Sequence, residues 1–234
     1  MQNLRHKHQR GATETGWLQS WHSFSFGGYY DPKNMGFGPL RVINEDIVRA
    51  GTGFDMHGHA NMEIITYILS GSLEHKDSLG NGGIIKPGDV QLMSAGKGIL
   101  HSEFNPSDTE DVHLLQIWIM PRETGGKAGY QQTSFDPAQL QNNLRLVVSP
   151  EGEDGSLVIK QDARLYVTRL DTAKSVSLEM RAGRRYWYQV ARGTVDVNGK
   201  VLEAGDALGL DNEPGRAIIN AIESAEVLVF DLPQ

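Results

Sequence analysis

The chain has 234 residues, enough for one large or two small domains, and its 22 Lys plus Arg against 29 Asp plus Glu give a net charge of -7. An acidic chain with no basic run is a poor match for nucleic-acid phosphates or an anionic membrane, so neither partner is expected. The absence of cysteine excludes disulfides, thiolate metal sites and cysteine nucleophiles. The polar start Met1-Gln2-Asn3-Leu4-Arg5-His6-Lys7-His8 has no apolar signal core. No apolar run approaches the ~20 residues of a membrane-spanning helix, and a cytoplasmic location is expected.

Residues 1–16 are polar, with a break at Gly11, and their first few suit a strand. In Trp21-His22-Ser23-Phe24-Ser25-Phe26, alternation puts His22, Phe24 and Phe26 on one face before Gly27-Gly28 and Asp31-Pro32 impose turns. These aromatics either line the mouth of a pocket or pack a core; packing is the simpler expectation, and His22 is a candidate neighbour of a ligand. Residues 40–48 read as a strand. Residues 54–69 read as the next, running to Ser70-Gly71. Residues 72–77 alternate again, and Leu79-Gly80-Asn81-Gly82-Gly83 reads as a hairpin connection. Further strands are expected over 90–95 and around 99–103. Residues 113–120 are almost continuously apolar, fit for burial on both faces, with His113 structural. Residues 121–132 read as a polar, Gly-rich linker, and 137–143 as one or two helical turns. Many short strands with 27 Gly and 9 Pro point to an all-β barrel or sandwich.

Two short stretches concentrate the chemistry: Phe54-Asp55-Met56-His57-Gly58-His59 and Gly98-Ile99-Leu100-His101-Ser102-Glu103. Side chains two apart on a strand share a face, so His57 pairs with His59 and His101 with Glu103. Two neighbouring strands could aim three imidazoles and one carboxylate at one point, a donor set suited to divalent iron, nickel, copper or zinc. Taken singly, each His reads as a hydrogen-bonded or exposed residue; the two paired spacings favour a shared site. Parity carried on to Glu63 makes it a fifth ligand or, preferably, an acceptor that holds an imidazole, unless a bulge near Asn61 resets the strand.

The second half repeats the grammar without the ligands. An apolar strand ending at Gly71 precedes the turn at Gly88-Asp89; a second ending at Gly193 precedes Gly205-Asp206. Two similar barrels are expected, 1–132 with the metal site and 133–234 without. In the second, Arg184, Arg185, Tyr186 and Trp187 stand in the region that corresponds to the ligands. They cannot form a metal cage; an anion or partner site is conceivable, but solvated arginines beside a packed Trp are the simpler reading.

The run Gly51, His57-x-His59, Glu63 and an apolar strand to Gly71 resembles the first cupin motif, and Gly88, His101 and Asn105 resemble the second. Departures in spacing, with Trp21-His22-Ser23-Phe24-Ser25-Phe26, Gly88-Asp89-Val90-Gln91 and Gly96-Lys97-Gly98-Ile99-Leu100-His101-Ser102-Glu103, make residues 1–120 similar to the pirin family of bicupins. The tail from about residue 133 resembles the shorter carboxy-terminal cupin of bacterial members. The resemblance implies two cupin barrels. It also implies one divalent metal ion, usually Fe2+ (Ni, Mn, Zn, Co or Cu being alternatives), on His57, His59, His101 and Glu103, with Glu63 not a ligand. Quercetin 2,3-dioxygenase activity is implied, with a flavonol and O2 as substrates. The rival implication is a metal-dependent regulator of a protein partner. On the first reading, Glu103 is the base that takes the proton of the flavonol 3-hydroxyl, and carbon monoxide leaves as the ring opens. A sugar-isomerising cupin is the weakest alternative, because the first barrel shows no basic phosphate clamp.

Overall fold

The computed structural model describes residues 1–234. It is built almost wholly of strands, with one short α-helix at Pro137–Leu140. No helix is long and apolar enough to cross a membrane. The chain forms two compact units. One comprises Gly11–Ser134 and Ile159–Gln161; the other comprises Met1–Arg10, Phe135–Val158 and Asp162–Gln234. The division expected at 132/133 thus falls two residues later, at 134/135, and differs in two further places. Met1–Arg10 joins the second unit because Gln2–Arg5 adds a strand to Ala207–Asp211, and three residues near 160 belong with the first. Polar terminal residues and a short strand carry no signal in sequence for such long-range pairing.

In the first unit, a seven-stranded antiparallel sheet runs in spatial order Gly129–Ser134, Asp89–Ser94, Glu63–Ser70, Val112–Ile119, Leu40–Val48, Leu18–His22 and Gly11–Glu14. A four-stranded sheet holds Gly53–His59, Ile99–Phe104, Leu73–Asp77 and Gly82–Ile85. Val48, Ile68, Val112 and Leu114 from the first sheet pack with Leu73 and Ile85 from the second. This closes the sandwich at one end by removing apolar surface from water. The apolar strand Val112–Ile119 sits between two partners, as its double burial requires. The expected 121–132 linker is partly wrong: Gly129–Ser134 is a strand paired to Asp89–Ser94. Its Gly and Gln residues mask the alternation that its backbone adopts.

The second unit repeats the plan, with seven strands in one sheet and four in the other. Its interior differs. Tyr186, Tyr188, Val190, Val195, Leu208, Val227 and Val229 fill it as one apolar cluster. The first unit buries Asn44, Thr66, Gln91, Glu103 and Gln116 beside its apolar clusters, and three of these line the cavity described below. Arg184 is not solvated as expected: it donates to Asp231 at 2.6 Å and Asp162 at 2.6 Å, and Arg185 lies 3.2 Å from Asp211. These arginines are committed to carboxylates, and Trp187 is fully buried.

The strand-ending glycines have the same physical job in both units. Gly71 has φ 77° and Gly193 has φ 72°, a region costly to any residue with a Cβ. A Cβ at Gly193 would collide with the Ser224 carbonyl, and one at Gly71 with the backbone of Asp111 and Val112. Gly193→Ala is expected to lower stability by at least about 2 kcal/mol in urea unfolding, from left-handed strain and backbone overlap together. A midpoint unchanged from wild type would refute that account.

Candidate metal centre

The site is built on two neighbouring antiparallel strands, Gly53–His59 and Ile99–Phe104, with His101 directly opposite His57. The pleat turns His57, His59 and His101 to one side. Their ring centroids lie 4.4 to 4.9 Å apart, and one donor nitrogen from each falls within 4.8 Å of the others. A register shift between His101 and Glu103 sets Glu103 opposite Phe54. This bulge brings Phe54 to the inner face, where it lines a cavity of about 340 Å³ together with His57, His59, Glu103, Phe26 and Trp118.

Two observations fit a divalent ion on the imidazoles. His57 Nδ1 donates to the Asp55 carbonyl at 2.7 Å, which fixes the tautomer and leaves Nε2 with a free lone pair. His101 is buried, yet neither ring nitrogen has a hydrogen-bond partner, and buried polar atoms are rarely left so. Two imidazole nitrogens on one ion at about 2.1 Å lie at most about 4.2 Å apart, so the spacing found is within a small side-chain adjustment of ligation.

Glu103 stands one step away. It shares a group with His101 and His75, not with the trio. Gln116 Nε2 donates to its Oε2 at 2.8 Å, and Thr66 Oγ1 lies 3.3 Å from its Oε1. Glu63 does not hold an imidazole. Asn61 adopts φ 53° and ends the ligand strand, so Glu63 starts a new strand in the other sheet, where it accepts from Ser94 at 2.8 Å. The continuous strand expected over 54–69 is two strands for the same reason. His22 is bonded to Asn44 at 2.8 Å and Thr13 at 2.9 Å and lines the cavity. Phe26 lines it too, while Phe24 packs in the core, so that aromatic segment divides between the two roles expected of it. His113 is structural, 2.9 Å from Glu45. The sequence reading gave no role to His75, Asp46, Thr66 or Gln116.

Residues 3–119 match the family model described as Pirin, and residues 146–232 match the one described as Quercetinase C-terminal cupin domain. The chain is 48% identical over 230 residues, 98% of each chain, to a protein of Escherichia coli strain K12 named quercetin 2,3-dioxygenase.

The chain belongs to the pirin family.

It is 39% identical to a pirin-like protein of Caulobacter vibrioides, with 94% of this chain and 95% of that one covered. The crystal structure of the pirin YhhW from Escherichia coli in complex with nickel(II) superposes on this pirin with a TM-score of 0.94 at 48% identity, covering 100% and 99% of the two chains. Both units are thus cupin domains of a bicupin.

Burial sets the electrostatics of this pirin's site. It drives the His59 imidazole down to about 4, helped by His57, and His101 down to about 3, helped by His57 and His59. Both rings are therefore neutral near pH 7, the form that donates a lone pair to a metal. Burial pushes the Glu103 carboxyl up, opposed by the Gln116 hydrogen bond. It pushes Asp46, on the cavity wall with one oxygen unpaired, up to about 7.

Asp46 gives a pH signature of defined sign. Its folded-state value is raised, so its contribution is fully present below the unfolded value of about 3.8 and is lost as pH rises through about 7. Asp46→Asn has no such loss. The stability of metal-free Asp46→Asn relative to wild type is expected to rise between pH 4 and 8, by on the order of 4 kcal/mol at most. Urea unfolding of both proteins across that range measures it, and a constant difference would contradict a buried, protonated Asp46.

Proposed function

We propose that this protein is a metal-dependent dioxygenase that opens the ring of flavonols such as quercetin. The divalent ion, iron in the first instance, would be held by His57, His59 and His101, with Glu103 adjoining. One observation carries the reading: two of the converging imidazoles and a buried carboxylate open onto one cavity that Phe26, Phe54 and Trp118 also line. The relative named quercetin 2,3-dioxygenase and the nickel complex of the Escherichia coli pirin support it.

When bound, the ion would supply Lewis acidity to a hydroxyl presented to it and redox contact with dioxygen. The chain's own residues do the rest. Phe26 and Trp118 meet edge to face at 5.4 Å, and with Phe54 they offer flat apolar surfaces that seat a planar aromatic molecule and exclude water. Glu103, held by Gln116 and Thr66, accepts the proton of the flavonol 3-hydroxyl. Its burial raises its proton affinity, which strengthens it as a base.

The test is oxygen uptake and loss of the quercetin absorption band with iron- or nickel-loaded protein and with metal-free protein. The reading expects loss of quercetin that depends on the metal and consumes oxygen in step. No metal-dependent loss with any first-row divalent ion would overturn it.

A further inference from the structure

His101 belongs to two donor groups. One is formed with His57 and His59, the other with His75 and Glu103. The strand Leu73–Asp77 pairs with Ile99–Phe104 on the side away from Gly53–His59, with His75 opposite Glu103 and Asp77 opposite His101. His75 is fully buried, and neither of its ring nitrogens has a hydrogen-bond partner. Its ring lies against Tyr130 at 4.7 Å and 25°, and 5.3 Å from the His101 ring. Asp77 Oδ2 stands 3.5 Å from His75 Nε2, an electrostatic contact rather than a well-formed hydrogen bond. Asp77 is itself immobilised by the backbone amides of Leu79 and Asn81 and by the Asn81 side chain, at 2.9 to 3.0 Å.

A ligating imidazole uses one nitrogen and carries a hydrogen on the other, which needs an acceptor to fix tautomer and ring plane. His57 has such an acceptor in the Asp55 carbonyl; His101 has none. A His75 donor nitrogen lies within 4.8 Å of one on His101, beyond hydrogen-bond reach and within the span of a single bridging water. Burying three adjacent polar side chains in this arrangement is costly unless they serve one another.

We propose that His75, backed by Asp77, is a positioning residue for His101: it accepts, through one bridging water or after a small side-chain adjustment, the hydrogen on the His101 nitrogen that does not face the ion. One His75 nitrogen then takes the His101 hydrogen and the other presents its own to Asp77. The ring stacked on Tyr130 keeps the line straight. The inference rests on the reading of the three imidazoles as a metal centre.

Two variants of the full chain test it: His75→Phe, which keeps the stack on Tyr130 and removes both nitrogens, and His75→Gln, which keeps a polar acceptor. Nickel(II) affinity is read by competition with a chelator, and ring-nitrogen NMR of the metal-free proteins reads the His101 tautomer. His75→Phe is expected to weaken nickel binding by about 10–100-fold and to release His101 into a mixture of tautomers. His75→Gln should restore most of the affinity. Nickel bound by His75→Phe within twofold of wild type would overturn the positioning role alone. So would two ions per wild-type chain falling to one in the variant, because His75 would then be a ligand. Should His75→Phe not fold, a mixture of His101 tautomers in metal-free wild type would overturn it, and a single tautomer would support it. Wild type that binds no nickel would defeat the metal-centre reading as well.

Discussion

Replacing His101 with alanine is expected to remove metal binding and turnover while leaving the metal-free fold almost as stable as before. The affinity loss should be at least about 100-fold, since even a residue behind a ligand typically costs about 10–100-fold. Two opposing terms act on the metal-free fold. Truncating a buried side chain leaves a cavity costing about 2–5 kcal/mol where the chain was apolar. His101, however, buries an ion-facing nitrogen that has no hydrogen-bond partner when the metal is absent, and an unsatisfied polar group already costs about 1–3 kcal/mol. The terms offset, so the unfolding free energy of metal-free protein should change by less than about 2 kcal/mol. A chelator competition and a urea titration measure both quantities. Undiminished metal affinity would remove His101 from the site, and a large loss of metal-free stability would make it a structural histidine.

Glu103→Gln separates base from ligand. The amide keeps the size of the side chain and can still accept from Gln116, while it cannot take a proton at neutral pH. Positioned proton transfer contributes about 10²–10⁴-fold. Turnover of quercetin is expected to fall within that range, with one ion still bound by the three imidazoles. Glu103 lies outside the tight trio, so metal retention is the expected outcome here, in contrast to His101→Ala. Unchanged turnover with metal bound would exclude Glu103 as the base.

What was legible in the sequence follows from the period of the strand. His57-x-His59 and His101-x-Glu103 could be read as two same-face pairs because alternation is a local rule, and the structure sets those strands side by side with His101 against His57. The two-barrel plan was legible for a similar reason: the Gly71 and Gly193 strand ends are enforced by close backbone neighbours in each unit. What failed needed information beyond the strand. Parity from His59 to Glu63 is broken by one left-handed residue, Asn61. His75 and Asp77 showed the same His-x-acid spacing as His101 and Glu103, a signal that was present; only the pairing of their strand with Ile99–Phe104 gives it meaning. Asp46 alternates with Asn44 on an otherwise ordinary strand, and its cavity position depends on the sheet that faces it. The membership of Met1–Arg10 in the second unit rests on strand pairing across more than 200 residues of chain, for which a short polar segment holds no local cue.

The central claim is that His57, His59 and His101 grip one ion. Nickel titration of metal-free wild type against the triple variant His57→Ala, His59→Ala, His101→Ala tests it most directly. The account predicts one ion per wild-type chain and none bound by the variant at the same free nickel. Equal binding by the two proteins, or no binding by wild type, would contradict it.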